Sequence, residues 1–518
     1  MPRLTPTTPP TFALAAALVL GIAHAAHAQP VMRDARLQVA QVADGLGGGQ
    51  GQIATGFVFV DADTILAARR GDGKVVRLDL LPGQVVTPGP VVADLDIVSP
   101  TGNDSQTEYG VQGICLHPNF ATNGYIYIRY DLSPTVGVDT AQSVIATQPN
   151  FSVSLPTQNV TDRFVWNPAA NGGAGALTFD ARIISTTFDT RYHHGGGPRF
   201  GNDGKLYIPT GDLRRVTWIP GHAGLLISAN YAGTTTADLA VILRLNDDGT
   251  TPAGNPFAST PGAGRWFAYG IRNTWALSFD PLTGALWNTD NGEGVFDEIN
   301  LVFPGFNSGH GDLMGPVGHP EQEGSTAGLV NLPGSTYADP KFSWLGTVGI
   351  TAIRHLYASA LGSSFNNAVM VGNVNTGNLW MLRLNAARDG FAFTNPGLQD
   401  LVNDAGAFEN PLTTEAAELL AGTGFGGTPT GALAIELGPD RLPYVLTATG
   451  RIYRISRVTP CPADVNGDDL VNTQDLTAFL GLFGSSVVVG APGDIEPDGT
   501  VNTVDLTKFL GRFGDDCR

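Results

Sequence analysis

Along most of the chain a short apolar run is followed by a turn of Asp, Asn, Pro and Gly, and then by a second β-rich run. The pattern occurs six times, over residues 56–80 (GFVFVDADTILAARRGDGKVVRLDL), 113–130 (GICLHPNFATNGYIYIRY), 198–212, 277–290, 368–384 and 433–455. Asp-Gly and Asn-Gly in such turns are hairpin signals, because glycine reaches positive φ without strain. Repeated antiparallel units predict an all-β fold, a six-bladed β-propeller over residues 29–459 that protects its sheet edges by radial closure. A large β-sandwich array is the alternative. Residues 133–180 and 386–425 would be insertions between units.

The two ends follow other patterns. Arg3 precedes an apolar stretch over residues 12–22, and Ala26-His27-Ala28 follows. That is the layout of a secretory signal peptide over residues 1–28, with an apolar run too short to span a bilayer. The expectation is a secreted protein, extracellular, cell-surface or periplasmic, with no membrane span in its mature form. At the C-terminus the apolar period changes to i, i+3, i+4, i+7. Leu476, Phe479, Leu480 and Phe483 form one stripe, and Leu506, Phe509, Leu510 and Phe513 another. Two short helices packing on each other are predicted there, as a small all-α domain over residues 460–518.

Composition narrows the function. The 518 residues carry a net charge of −18, with 42 % hydrophobic and 15 % charged residues. A disordered chain is excluded by the apolar content. The acidity argues against a nucleic-acid partner, which needs a basic face to neutralise phosphates, and suits a secreted or calcium-binding protein. With 67 glycines and 35 prolines the chain favours short strands and turns over long helices. Three cysteines are too few for a thiol-rich metal scaffold.

The C-terminal segment carries a duplicated loop. DVNGDDLVNTQDLTAFLGLFG starts at Asp464 and DIEPDGTVNTVDLTKFLGRFG at Asp494. Oxygen-bearing side chains fall at loop positions 1, 3, 5 and 12: Asp464, Asn466, Asp468 and Asp475, then Asp494, Glu496, Asp498 and Asp505. Leu470 and Thr500 supply backbone carbonyls at position 7. Hard oxygen ligands at this spacing are those of an EF-hand-like calcium loop. Asp469 at position 6, where the second loop has Gly499, and the longer Glu496 predict unequal affinities. Cys461 and Cys517 bracket the segment, and in an exported chain they read as a disulfide, adding about 4 kcal/mol in the chain-entropy model. Cys115 lies in an apolar run and reads as a buried free thiol. The loop–helix pair resembles a type I dockerin, which implies a cohesin-like partner or another cell-surface receptor.

Three segments of the longer region resemble the glucose/sorbosone dehydrogenase family: GVQGICLHPNFATNGYIYIRY over residues 110–130, HHGGGPRFGNDGKLYIPTGD over residues 193–212, and AYGIRNTWALSFDPLTGALWNTDNGEGVFDEINLVFPGFN over residues 268–307. The best-known members are soluble quinoproteins on a six-bladed propeller. The resemblance implies pyrroloquinoline quinone (PQQ) and calcium over the central end of the ring, and a sugar or polysaccharide substrate. It places the catalytic histidine at His193, which would take a hydroxyl proton while hydride passes to the quinone; standing alone, His193-His194 reads as polar loop. It places a carbonyl-holding arginine at Arg272, with Asn273 beside it, and a cofactor-facing carboxylate at Glu108. Gly292 and Glu293 would offer backbone carbonyls to calcium. Asp297-Glu298 would bind a second calcium or cap a blade, and Trp344 would lie near substrate or in the core. The glycines after His193 would let backbone approach the flat cofactor.

The same resemblance exposes departures. PQQ is a tricarboxylate, and burying it needs cations. Positions where the family places them hold Asn375 and Thr428-Pro429-Thr430-Gly431, leaving Arg354 or Arg383 as substitutes. Two functions therefore follow: a secreted PQQ-dependent aldose dehydrogenase tethered by its dockerin-like tail, or a non-catalytic carbohydrate- or protein-binding propeller on the cell surface.

Overall fold

The computed structural model describes residues 30–47, 53–99, 108–141, 157–188, 192–213, 238–322, 324–362, 365–375, 377–404, 416–420, 431–458, 461–468, 470–487, 491–496, 498–515 and 517. The signal-peptide reading over residues 1–28 and residues 428–430 lie outside them. The alternating apolar runs pair as antiparallel sheets set around a central channel. Five sheets begin with a full inner strand: β1 (Ala54–Phe59), β2 (Val111–Leu116), β3 (Thr274–Phe279), β4 (Ile350–Leu356) and β5 (Ala432–Leu437). β1, β2 and β4 are largely buried on both faces, and β3 and β5 are half buried and otherwise partly covered, as expected of strands that have a channel on one side and sheet neighbours on the other. Small side chains line the channel, among them Thr55, Gly113, Ala276, Ala352 and Ala434. Leu37–Ala43 pairs antiparallel with Ile452–Arg457, Leu37 opposite Arg457, so the two ends of the region share one sheet.

The expected six-bladed propeller with an all-α module is corrected in two respects. The sheet between the second and third inner strands has only the two-residue Arg199–Phe200 in the inner position, and it gains Phe306–Asn307 and Thr336–Tyr337 as parallel additions. The described residues thus form an all-β propeller with five regular blades, not six. The reason is local. Pro198 has no N–H for a ladder, and Gly195, Gly196 and Gly197 are committed to close backbone approach. A Cβ on Gly196 would lie 1.6 Å from the Trp275 carbonyl oxygen, and one on Gly197 would lie 3.0 Å from the Gly113 Cα. These glycines therefore serve contact between neighbouring sheets.

The C-terminal segment shows only two helices, α1 (Thr473–Leu482) and α2 (Thr503–Gly511), set in longer loops that meet at a Ser486–Thr500 bridge. Each has a capping box in which Asn472 or Asn502 caps the helix and Asp475 or Asp505 accepts the cap residue's own N–H. Only half of each stripe packs. Phe479 and Phe509 are fully buried with ring centroids 5.3 Å apart, whereas Leu480, Phe483, Leu510 and Phe513 are exposed. Cys461 and Cys517 form the expected disulfide. Cys115 is buried and free, and burial pushes its thiol up to about 12. No helix among the described residues is long and apolar enough to cross a membrane.

Candidate active site

The inner strands all begin at one mouth of the channel, and the loops leading into them bring polar residues together there. His193 sits just before the Gly195–Gly197 crossing, in the left-handed region at φ 56°. Its carbonyl lies so close to Gly211 that a Cβ there would come within 2.1 Å of it. The next residue, Asp212, follows the strand Leu206–Thr210. Asp212 Oδ1 lies 2.5 Å from His193 Nδ1, its Oδ2 lies 2.9 Å from His310 Nε2, and its backbone N–H donates 2.8 Å to the Arg272 carbonyl. The buried carboxylate thus joins the two histidines, while the backbone of Asp212 ties them to the main chain of Arg272. Burial alone would raise its pKa, but the two imidazoles outweigh that and hold it well below the usual carboxylate range. With Nδ1 committed to Asp212, Nε2 of His193 is the nitrogen left for a substrate.

Arg272 and Asn273 enter β3, and their backbone N–H groups donate to the two oxygens of Asp290 at 3.0 and 2.6 Å. Arg272 Nη1 donates 2.6 Å to the Asn291 carbonyl. Glu108 accepts from the His194 backbone N–H at 2.7 Å and from Asn273 Nδ2 at 3.0 Å, so it joins the histidine loop to the Arg-Asn pair. His194 is itself fully buried, its Nδ1 3.0 Å from Asp131, which makes it a packing residue of the loop.

Gly292 is half-buried and Glu293 exposed. Gly292 N–H donates 2.9 Å to Asp297, whose other oxygen accepts from Val348 and Gly349 at 2.7 and 2.6 Å. Among the described residues neither the Gly292 nor the Glu293 carbonyl accepts a hydrogen bond. Burial lifts Asp297 to about 6, and burial with repulsion from Asp290 lifts Glu298 to about 8. Asp290 is also raised, because burial exceeds the help of its two backbone donors.

The remaining expectations divide. Trp344 is in the core, with its ring 5.0 Å from Trp380 and 4.8 Å from Phe342. Arg354 and Arg383 fall toward the ends of their strands that point to the opposite mouth, and Arg354 is bound to Glu436 there, so neither supplies the expected clamp. Asn375 does lie near this mouth, against Gly349. Sequence reasoning did not single out Asp212, His310 or Arg70. Arg70 is buried beside Glu108, and its Nε has no partner among the described residues. Its only sequence signal was an arginine standing just beyond an apolar strand.

In the C-terminal loops, the carboxylates of Asp464, Asp468 and Asp475 come within 4.8 Å of one another, as do those of Asp494, Asp498 and Asp505. Asn466 donates 3.1 Å to Asp468. Glu496 is turned into an ion pair with Lys508, and the Thr500 carbonyl accepts from Asn502 at 3.1 Å. The Leu470 carbonyl stands at the corresponding place in the first loop. Asp469 lies outside the described residues.

Comparison with known proteins agrees with this architecture. The family model described as glucose / sorbosone dehydrogenase matches residues 54–395. The chain is 27 % identical over 266 residues to an uncharacterized protein of Synechocystis, covering 48 % of this chain and 54 % of that one. It is 27 % identical over 262 residues to quinoprotein glucose dehydrogenase B of Acinetobacter calcoaceticus, covering 48 % of each. It thus spans about half the length of the curated relatives it matches. Among solved structures, the apo-form soluble aldose sugar dehydrogenase of Escherichia coli superposes with a TM-score of 0.55 at 18 % identity, over 81 % of this chain and 99 % of that one, a likeness of fold. With two thirds of its length matched and the motif-bearing loops gathered at one mouth of the ring, the chain belongs to the glucose/sorbosone dehydrogenase family.

Proposed function

We propose that this chain is a secreted sugar dehydrogenase that oxidises an aldose with PQQ and calcium, His193 acting as general base. The observation that carries this reading is the Asp212 bridge between His193, His310 and Arg272. The donor set fits the cofactor at its calcium end: the carbonyls of Gly292 and Glu293 would hold the ion, and Arg272, Asn273 and Glu108 would flank the quinone. Bound there, the quinone supplies the hydride acceptor. His193 Nε2 accepts the sugar hydroxyl proton, and the ionised Asp212 stabilises the resulting imidazolium and fixes the ring's tautomer. His310 occupies the second oxygen of Asp212 and so holds the carboxylate in place. Arg272 would oppose negative charge that develops nearby.

The C-terminal loops would bind calcium as a dockerin-like tether, with Leu480, Phe483, Leu510 and Phe513 as the exposed apolar positions for a cohesin-like or cell-surface receptor. Export through the leader at residues 1–28 completes the reading.

One observation favours a second function. Arg354 and Arg383 lie toward the other mouth, so among the described residues the arginines near the site are Arg272, Arg70 and Arg129, and Arg129 is spent on the carbonyls of His194, Gly196 and Pro209, which leaves few cations for a tricarboxylate. On that reading the propeller binds carbohydrate or protein without turnover. Aldose-dependent dye reduction by the full chain supplied with PQQ and calcium separates the two. Turnover that is lost in His193→Ala supports the dehydrogenase, and none in the unsubstituted chain supports the binder.

A further inference from the structure

At the mouth opposite the histidines, where β1 to β5 end, there is a cavity of about 560 Å³. Its walls are mainly apolar, with Phe59, Leu116, Phe200 and Phe279 facing it. Its charged groups are Arg199, Arg354 and Glu436, from three different sheets. Arg199 holds Glu436 bidentately at 2.7 and 3.2 Å, and Arg354 Nη2 lies 2.7 Å from the same carboxylate. Two guanidiniums against one carboxylate leave one positive charge over, in a chain whose net charge is −18. All three side chains lie deep in the protein, yet Arg199 and Arg354 keep 25 % and 22 % of their surface open.

A network built only to join blades would use up its donors. This one does not. Arg199 Nε and both Nε and Nη1 of Arg354 have no hydrogen-bond partner among the described residues. His355 also lines the cavity; it is 2 % exposed, bonded through Nδ1 to Ser278 at 2.8 Å, with its Nε2 unsatisfied. These guanidinium N–H groups stay open to the cavity and are available to an acceptor that enters it. A planar carboxylate matches a guanidinium edge with two parallel bonds. The apolar walls suit a hydrophobic body behind that carboxylate, and the volume is that of a small-molecule site.

We propose that this second mouth binds a small carboxylic acid with an apolar, ring-sized body, its carboxylate on the unspent N–H groups of Arg354 and its body against Phe59, Phe200 and Phe279. The site is independent of the histidine mouth and of whether that mouth binds PQQ.

Titration calorimetry of the full chain with sodium benzoate, benzamide and inorganic phosphate tests it. Benzoate should bind at one equivalent, with benzamide and phosphate each weaker by about tenfold or more, the worth of charge-assisted hydrogen bonds on one side and of apolar contact on the other. Arg354→Gln should weaken benzoate by about tenfold or more. Leu116→Glu, which leaves the arginines in place and adds a negative charge to the wall, should do the same if Arg354→Gln does not fold. No binding of benzoate at millimolar concentration, equal binding of benzamide or phosphate, or unchanged affinity in a folded variant would each overturn the proposal.

Discussion

His193 Nδ1 lies 2.5 Å from Asp212 Oδ1, and this pair fixes which face of the imidazole meets a substrate. The carboxylate is held ionised by two histidine rings despite full burial, so it is ready to stabilise a proton on either. A base built this way has a test that mere structure would not pass. His193→Ala should lower turnover about 10²- to 10⁴-fold with little change in calcium affinity, and Asp212→Asn should lower it while moving the onset of activity to lower pH, because the imidazolium loses the carboxylate that stabilises it. Steady-state rates against pH for both variants check this.

His310 should behave as a positioning residue. It touches the other oxygen of Asp212, 98 positions away in sequence. His310→Gln can still donate to that oxygen and should retain more turnover than His310→Ala, with the main loss in kcat and not in KM. Equal losses in the two variants would show that donation to Asp212 is not its role.

The glycine crossing behind His193 is a packing element. A methyl group at Gly196 would collide with the Trp275 carbonyl, which is backbone and cannot swing aside. Gly196→Ala should therefore cost about 2 kcal/mol or more, or abolish folding, as overpacking against main chain does. Denaturant unfolding measures it.

Asp297 at about 6 and Glu298 at about 8 are both raised, chiefly by burial. The folded chain then binds protons that the unfolded chain has released, so their contribution to stability is lost as pH rises from about 4.5 to about 8. Asp212 has the opposite sign, but its effect falls below the ordinary carboxylate pKa and outside this window. Melting in chelator should show a midpoint that falls over that range. Glu298→Gln should flatten the fall and be more stable at pH 8 by on the order of 1 kcal/mol; an unchanged slope would contradict the assignment.

The two C-terminal loops should differ in calcium affinity. Glu496 is drawn to Lys508, whereas Asn466 stays within its own loop beside Asp468. Calorimetry of the full chain with Asp475→Ala or Asp505→Ala isolates each loop. The first loop should be the tighter, and Lys508→Ala should strengthen the second; equal affinities would remove the argument.

Much of the site was legible because its parts are local. His193, Glu108 and the Arg272-Asn273 pair each stand in or beside a short segment that resembles the family, and the ring carries those segments to one mouth. What was not legible depends on strand direction and long-range closure. Arg354 is close in sequence to that mouth, but the seven residues of extended strand in β4 carry it toward the opposite one. His310 meets Asp212 only through closure of a sheet, which no spacing rule records. The short inner strand at Arg199–Phe200 follows from Gly195 to Pro198, where the glycines read as room for cofactor approach and the close crossing of neighbouring sheets was not foreseen. In the C-terminal helices the stripe periodicity was right, but it could not say that Phe479 and Phe509 pack while Leu480 and Leu510 stay in solvent.

The central claim is that the mouth bearing His193, Arg272 and Gly292 takes a calcium-linked quinone. Titration of the full chain with PQQ in the presence and absence of calcium, followed by absorbance, tests it most directly. The account predicts saturation at one equivalent that requires calcium and is weakened by Arg272→Gln. No uptake at micromolar PQQ with calcium present would contradict it and leave a recognition propeller.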